Sequence, residues 1–192
     1  MKEELEVKFF IESIESFRTK LANAGAELIS PEKLYKRIAF HLPEVLKDKN
    51  GWGRIRDEGD KITLSIKLEE GDRIEDQKEV CLEIDNVENG IIFLNLLGFK
   101  EKAYQETKRE KWLLNGTEIT IDTWPFLETF IEVEGESVEN IKNACTKLGL
   151  NYEESFVGPV THMYSRKYGL TADVINNQTP LIVFNMKNPF EK

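Results

Sequence analysis

The 192-residue chain is acidic, with 35 Asp and Glu against 26 Lys and Arg and a formal net charge of −9. This balance argues against a nucleic-acid-binding surface, which requires a basic stripe. No apolar run reaches the ~20 residues that span a bilayer, and no signal-peptide pattern is present. Cys81 and Cys145 lack zinc-site spacing and are expected to be reduced thiols. We therefore expect a cytoplasmic globular protein that binds neither nucleic acid nor membrane.

The first half of the chain predicts one helix among several strands. Residues 2–11 alternate polar and apolar side chains, as a half-buried strand does. Ser13 is a typical N-cap for the helix that follows, in which Phe17 and Leu21 share one face. The dipeptide Gly59-Asp60 is a hairpin signal. Further extended runs are predicted at 33–41, 52–58, 61–69 and 76–85.

The second half repeats the pattern of strands followed by a helix. Asn86 or Asn89 is expected to cap a helix that stops near Gly98. Asn115-Gly116 predicts a tight hairpin between strands at 103–114 and 117–124. A strand at 126–135 and a helix opening at Ser137 follow, whereas 158–170 is polar and aromatic and the tail is not periodic. Many strands joined by tight turns indicate an antiparallel sheet with three helices outside it.

Charged side chains are concentrated on one side of the predicted strands. Residues two apart on a strand share a face, so Glu4 lies beside Glu6 and Glu132 beside Glu134. A solvated face is one interpretation of this pattern. Paired carboxylates repel each other, however, unless a divalent cation bridges them. Arginines such as those of the RIR run at 54–56 suit planar contacts with phosphate oxygens. A closed barrel with this ionic interior would bind a magnesium-bearing polyphosphate along its axis.

Glu4-x-Glu6-x-Lys8 resembles the N-terminal ExExK signature of the CYTH family, the triphosphate tunnel metalloenzymes. That family includes class IV adenylyl cyclases, thiamine triphosphatases and inorganic triphosphatases. The later elements appear in the family's order: RIR at 54–56, the lysine of TLSIK at 67, EVCLE at 79–83, KREKW at 108–112, and ID followed by FIEVE within 121–134. The resemblance implies an α+β fold, an eight-stranded antiparallel closed β-barrel with helices packed outside. We expect residues 1–170 to form this domain and residues 171–192 to pack on it as a tail.

The resemblance also implies roles for individual residues. The implied ligands for Mg²⁺ or Mn²⁺ are Glu4, Glu6, Glu132 and Glu134. The implied triphosphate-binding residues are Lys8, Arg54, Arg56, Lys67, Arg109 and, from the C-terminal region, Lys167, with Arg166 as the alternative. The predicted catalytic set is Glu4, Glu6, Lys8 and Asp122, the last of which would position metal or a basic neighbour. Glu79 and Glu83 are expected to line the tunnel, and Cys81 stands where many relatives carry a third acid.

Three functions fit this pattern. The first is a metal-dependent triphosphatase that acts on inorganic triphosphate or an organic triphosphate such as ATP or thiamine triphosphate. The second is a class IV adenylyl cyclase, which would need an adenine pocket built around Phe40, Trp52 or Trp124. The third is a non-catalytic protein that binds a polyphosphate or nucleotide. The apolar run LIVF at 181–184 packs either in cis or across a homodimer, and the sequence leaves both open.

Overall fold

The computed structural model describes residues 1–71 and 73–191. Its strands are β1 (Lys2–Glu3), β2 (Leu5–Phe10), β3 (Glu27–His41), β4 (Asn50–Asp57), β5 (Ile62–Glu69), β6 (Gln77–Ile84), β7 (Lys100–Leu114), β8 (Thr117–Thr123), β9 (Phe130–Gly135) and β10 (Leu181–Ile182). Its helices are α1 (Ile14–Asn23), α2 (Val87–Leu96), α3 (Val138–Lys147), α4 (Val160–Tyr168) and α5 (Ala172–Asn177). None of these described helices combines the length and apolar character that a bilayer crossing requires.

Nine strands form a sheet that closes on itself. Their order is β1-β6-β5-β4-β3-β7-β8-β9-β2, and every pairing along it is antiparallel. The two terminal strands are adjacent in sequence, on either side of Glu4, whose N–H donates to the Gln77 carbonyl at 3.0 Å. Counted as one N-terminal strand, they complete an eight-stranded ring, so the predicted barrel is confirmed. Farther along β2, on the edge that does not face β9, Lys8 exchanges two backbone hydrogen bonds of 2.9 Å with Phe156.

The apolar cores lie outside the barrel. One face of β2, β8 and β9 packs against α1 and α3 through side chains such as Val7, Leu21 and Ile141, each 0% exposed. A second core lies between α2 and the β3–β5 part of the wall. There a Cβ on Gly90 would lie only 2.6 Å from Ile84 Cδ1 and 2.9 Å from Ile55 Cδ1. Glycine at this position therefore allows α2 to approach the sheet closely.

Several helix starts and turns match the sequence-based expectations. The side chains of Ser13, Asn86 and Ser137 accept hydrogen bonds from the first turns of α1, α2 and α3, as N-caps do. Asn115 and Gly116 both have positive φ, at 50° and 81°, as the predicted hairpin turn requires.

Other elements differ from the expectations. Strand β3 starts at Glu27 rather than 33, because its ladder with β7 continues past Pro31 through register shifts. Strand β9 starts at Phe130 rather than 126, since the preceding loop places Phe126 at a φ of 66°. The polar 158–170 segment contains α4, and the tail contains α5 and β10. These late elements pack around Trp124 in a third apolar cluster instead of showing a regular period of their own.

The outer position of the core can be tested by truncating two leucines. Leu21→Ala removes a side chain that is 0% exposed between α1 and the barrel, and should lower the free energy of unfolding by about 2–5 kcal/mol. Leu96→Ala is the matched control, since Leu96 is 82% exposed on α2 and its loss should cost far less. Urea denaturation measures both. Equal effects of the two substitutions would contradict this placement of the core.

Candidate functional site

The barrel encloses a cavity of about 260 Å³. Because side chains alternate along each strand, the face opposite the outer cores points inward, and this is the ionic face. The lining contains eight acidic and eight basic side chains. Ten residues of the predicted site are among them: Glu4, Glu6, Lys8, Arg54, Arg56, Lys67, Arg109, Asp122, Glu132 and Glu134.

Three carboxylates meet at one place in this cavity. One oxygen from each of Glu4, Glu6 and Glu134 lies within 4.8 Å of the other two. The ladder explains the grouping, because Glu6 is the direct partner of Glu134 across β2 and β9. Oxygens that surround one ion at about 2.0–2.6 Å are at most about 5 Å apart, so the spacing fits a shared divalent cation. We refer to these three residues as the carboxylate trio.

The trio lacks full compensation by positive charge. Burial, and after it the charges of Glu6 and Glu4, raise the pKa of Glu134 to about 7. A set of hard oxygen ligands with uncompensated negative charge is the donor set that Mg²⁺ or Mn²⁺ prefers. The residues present therefore fit the metal that the sequence suggested.

Glu132, the fourth predicted ligand, is engaged differently. It accepts a short hydrogen bond from Arg109 and lies 3.6 Å from Lys8 Nζ. Burial alone would raise its pKa, but Arg109 and Lys8 outweigh burial and hold the pKa of Glu132 well below its usual range. Among the described residues, the three-carboxylate cluster does not include it. In this geometry Glu132 orients two bases.

Asp122 also contacts Arg109 and is not part of the trio. Its carboxylate accepts from Arg109 Nε at 2.7 Å and from the Thr120 hydroxyl. Burial raises the pKa of Asp122 to about 6, against the lowering effect of Arg109. Of its two predicted roles, the contacts favour positioning of a basic neighbour.

Each predicted central base has a carboxylate partner. Lys8 Nζ lies 2.6 Å from Glu6, and Lys67 Nζ lies 2.6 Å from Glu4, so both amines touch the trio. The remaining pairs are Arg54 with Glu79 at 3.0 Å, Arg56 with Glu58 at 2.5 Å and Arg109 with Asp122 at 2.7 Å. Buried charges paired in this way are held in place along the wall.

Some polar groups facing the cavity have no partner among the described residues. They include Arg54 Nε, Glu69 Oε1 and Gln77 Nε2. Because a buried polar atom without a hydrogen bond is costly, such atoms indicate a site that a polar ligand completes.

Three predicted or alternative residues lie away from the cavity. Lys167 pairs with Glu128 at 3.0 Å and does not line the cavity. Arg166 packs over the Phe156 ring at 5.0 Å and is likewise absent from the lining. Glu83 is exposed, whereas Glu79, four residues earlier on β6, lines the cavity.

Sequence reasoning missed three basic lining residues: Arg37, Lys102 and Lys111. Arg37 alternates with the apolar Ile38 and Phe40 in the predicted 33–41 run. This alternation could have placed Arg37 on the polar, inward face of the strand. Lys111 lies two residues after Arg109 on the same face, where it pairs with Glu118 at 3.6 Å. Lys102 breaks the alternation of its strand and could not have been found this way.

The sequence profile of the CYTH domain matches residues 2–162. The chain belongs to the CYTH family. The resemblance noted in the sequence is thereby confirmed. Among curated protein sequences, none matches this CYTH protein significantly.

Solved structures share the CYTH fold. A conserved hypothetical protein from Pyrococcus furiosus is 25% identical, with a TM-score of 0.68 over 83% of this chain and 99% of that one. An adenylate cyclase candidate from Vibrio parahaemolyticus is 12% identical, with a TM-score of 0.68 over 85% and 98%. An adenylyl cyclase candidate from Hippeastrum, described as having a dominant triphosphatase activity, is 16% identical, with a TM-score of 0.55 over 88% and 97%. At these last two identities the likeness shows the fold alone.

The raised pKa of Glu134 predicts a pH-dependent cost to the metal-free protein. Because the folded protein holds this proton more tightly than the unfolded chain, stability falls as pH rises from about 4.5 to about 7. Glu134→Gln should therefore raise the melting temperature at pH 8 in EDTA by roughly 4–8 °C, and much less at pH 5. Glu136→Gln, at an exposed position on the same segment, is the control. A Glu134→Gln protein that melts lower than the wild type at pH 8 would contradict the assignment.

Proposed function

We propose that this CYTH protein hydrolyses a triphosphate substrate, inorganic or organic, in a reaction that depends on Mg²⁺ or Mn²⁺. The observation that carries this proposal is the presence of two complementary groups in one enclosed cavity. One is the carboxylate trio, and the other is the set of central bases Lys8, Arg54, Arg56, Lys67 and Arg109. Phosphoryl transfer depends chiefly on positioning and on neutralising phosphate charge, and both groups serve those needs.

The chain's own residues divide the work. The trio would hold the cation, which when bound supplies a Lewis acid that withdraws negative charge from phosphate oxygens. The arginines would bind those oxygens with planar forked donors, and the lysines with point charges. Asp122 and Glu132 hold Arg109 through its Nε and its terminal nitrogen, respectively, which fixes the plane of its guanidinium. Lys8, 2% exposed between Glu6 and Glu132, links the cation site to the phosphate site.

The aromatic side chains favour hydrolysis over cyclisation. Phe40 is 0% exposed in the outer core beneath α2, away from the cavity. Trp124 lines the cavity, but its ring is covered by the Arg37 guanidinium at 4.3 Å and contacted by Tyr164. Trp52 is the third candidate for stacking against an adenine ring. It lines the cavity, and no arginine or aromatic contact like those of Trp124 is found for it among the described residues. Adenylyl cyclase activity is the second candidate, supported by Trp52 and by the cyclase names that the neighbours from Vibrio parahaemolyticus and Hippeastrum carry.

A product assay separates these functions. Inorganic triphosphate, ATP and thiamine triphosphate are each incubated with Mg²⁺ and with Mn²⁺, and the products are resolved by chromatography. We expect orthophosphate from at least one substrate. Cyclic AMP and pyrophosphate from ATP would instead establish the cyclase. Tight triphosphate binding without turnover under every condition would leave a non-catalytic binding protein.

Loss of one trio carboxylate should abolish turnover without unfolding the protein. Glu6→Gln keeps the side chain's size but removes a ligand charge, so the metal-dependent rate should fall at least 100-fold. Glu3→Gln, at the exposed neighbouring position on β1, serves as the matched control. The initial rate and the circular dichroism spectrum are measured for both. An active Glu6→Gln protein would remove Glu6 from the site.

Triphosphate affinity should distinguish cavity bases from the surface lysine. Arg54→Met should weaken binding of inorganic triphosphate about tenfold or more, since a hydrogen bond to a charged group is worth about 1.5–3 kcal/mol. Lys167→Met should change the affinity less than twofold, because Lys167 pairs with Glu128 outside the cavity. Isothermal titration calorimetry measures both dissociation constants. The reverse order of effects would place the binding site near α4 instead.

A further inference from the structure

Arg56, one of the central bases, is held by an acid that does not line the cavity. Glu58 Oε1 accepts from Arg56 Nε at 2.9 Å and from Arg56 Nη2 at 2.5 Å, and the Glu58 side chain is 3% exposed. By contrast, the acids paired with the other four central bases line the cavity themselves. A ligand in the cavity therefore meets Arg56 but not Glu58.

The β4–β5 hairpin fixes the backbone that carries Glu58. This residue follows directly after β4, two residues after Arg56 and on the same face. Its N–H donates to the Lys61 carbonyl across the turn at 2.9 Å. Lys33 Nζ lies 2.7 Å from Asp60 in the same turn, which ties the hairpin to β3. The carboxylate thus stands on a part of the chain that is anchored to two strands.

An aromatic ring covers another side of the Arg56 guanidinium. The guanidinium carbon lies 5.3 Å from the centre of the Tyr35 ring, and Tyr35 is 2% exposed on β3. A cation over an aromatic ring is attracted by the negative face of the ring. Burial, and after it the charge of Glu58, raises the pKa of Tyr35 to about 12, so the hydroxyl stays protonated beside the carboxylate. Tyr35, like Glu58, is not among the residues that line the cavity.

The Glu58 carboxylate is ionised and serves chiefly Arg56. Burial alone would raise the pKa of Glu58, but Arg56 and then Lys111 outweigh burial and lower it. Lys111 Nζ lies 4.0 Å from Glu58 Oε2 and 3.6 Å from Glu118, so its nearer partner is Glu118. Arg56 is therefore the base whose position depends on Glu58.

The contact with Glu58 leaves part of the guanidinium available to a ligand. It engages two of the five N–H groups, one on Nε and one on Nη2. The other three are the two on Nη1 and the second on Nη2, and together they can form a fork that binds phosphate oxygens. Because the guanidinium is already held, such a ligand does not have to order a long and flexible side chain.

We propose that Glu58 is a positioning residue, which holds the Arg56 guanidinium in the orientation that binds a phosphate of the substrate. Glu58 does not touch the substrate and acts through Arg56. This inference rests on the proposed function, since it requires that Arg56 binds phosphate. It has an unusual consequence, because loss of a negative charge beside the site should weaken the binding of a polyanion. Simple electrostatics predicts the opposite.

A double-mutant cycle tests this role. Isothermal titration calorimetry in EDTA, which prevents metal-dependent turnover, measures the dissociation constant of inorganic triphosphate for the wild type, Glu58→Gln, Arg56→Met and the double variant. Glu58→Gln should weaken binding about fivefold, because the triphosphate must then immobilise the Arg56 side chain itself. In the Arg56→Met background the same substitution should not weaken binding, since no guanidinium remains to be positioned. A general effect on the fold would weaken binding in both backgrounds.

Two further variants separate position from charge and from stability. Glu58→Asp keeps the negative charge but is one methylene shorter, so it should also bind triphosphate more weakly than the wild type. It takes the place of Glu58→Gln if that variant does not fold. Glu110→Gln is the matched control, because Glu110 is 4% exposed, accepts from Arg18 Nε at 3.1 Å and Nη2 at 2.6 Å, and is absent from the cavity lining. It should keep the wild-type affinity.

The outcomes distinguish this role from the proposed function. A Glu58→Gln protein that binds triphosphate as tightly as the wild type, or more tightly, overturns the positioning role and leaves the proposed function standing. Equal weakening in both Arg56 backgrounds, or the same loss in Glu110→Gln, also overturns it. The wild type itself should bind triphosphate in EDTA, since the central bases contact the phosphates directly. Its failure to bind would instead contradict the proposed function.

Discussion

The enclosure of charge inside a closed sheet is the constraint on which the rest of this structure depends. A charged side chain removed from water is tolerated only where an opposite charge or a hydrogen-bonding partner replaces the lost solvent. The cavity lining meets this condition on average, with equal numbers of acidic and basic groups, but not locally. Negative charge is in excess at the carboxylate trio, and positive charge is in excess at Arg37 and Lys102. A metal cation and a chain of phosphates have the complementary distribution.

The ionic interior has a direct consequence for the outside of the barrel. If the inward face of each strand is polar, its outward face must supply the apolar area that stabilises the fold. Helices α1 and α3 cover one side of the barrel, and α2 covers another. Gly90 serves this requirement because it lets α2 pack closely against the apolar outer face of the sheet. Without α2, that face would be exposed to water. The C-terminal elements form a third cover around Trp124.

The site is organised for binding at some cost to the stability of the free protein. The raised pKa of Glu134 and the lowered pKa of Arg37 reflect burial and, after it, repulsion between like charges that are held close together. Such local conflicts are typical of functional sites and are relieved when the ligand binds. By contrast, Lys8 and Arg109 are each held by two acids, so the positions of these two bases are fixed in the free protein.

The sequence by itself determined the alternation of polar and apolar side chains, and with it the faces of the strands. Glu4 could be placed on one face with Glu6, and Arg54 on one face with Arg56, because a period of two places every second residue on the same face. The pairing of like charges and the resemblance to the CYTH family then indicated that this face points inward. The helix starts at Ser13, Asn86 and Ser137 were likewise readable, since capping is a local interaction.

Only the tertiary structure decided which charges meet. Glu134 joins Glu4 and Glu6 while Glu132 joins Lys8 and Arg109, although the two glutamates share one face of one strand. Lys102 points inward because of a bulge that depends on the pairing of β7 with β3, and Lys167 remains outside because α4 directs it toward Glu128. Register, bulges and helix docking are contacts between distant parts of the chain, whereas a sequence pattern reports only on the local backbone. The faces of the strands were therefore predictable, but the partners of each charge were not.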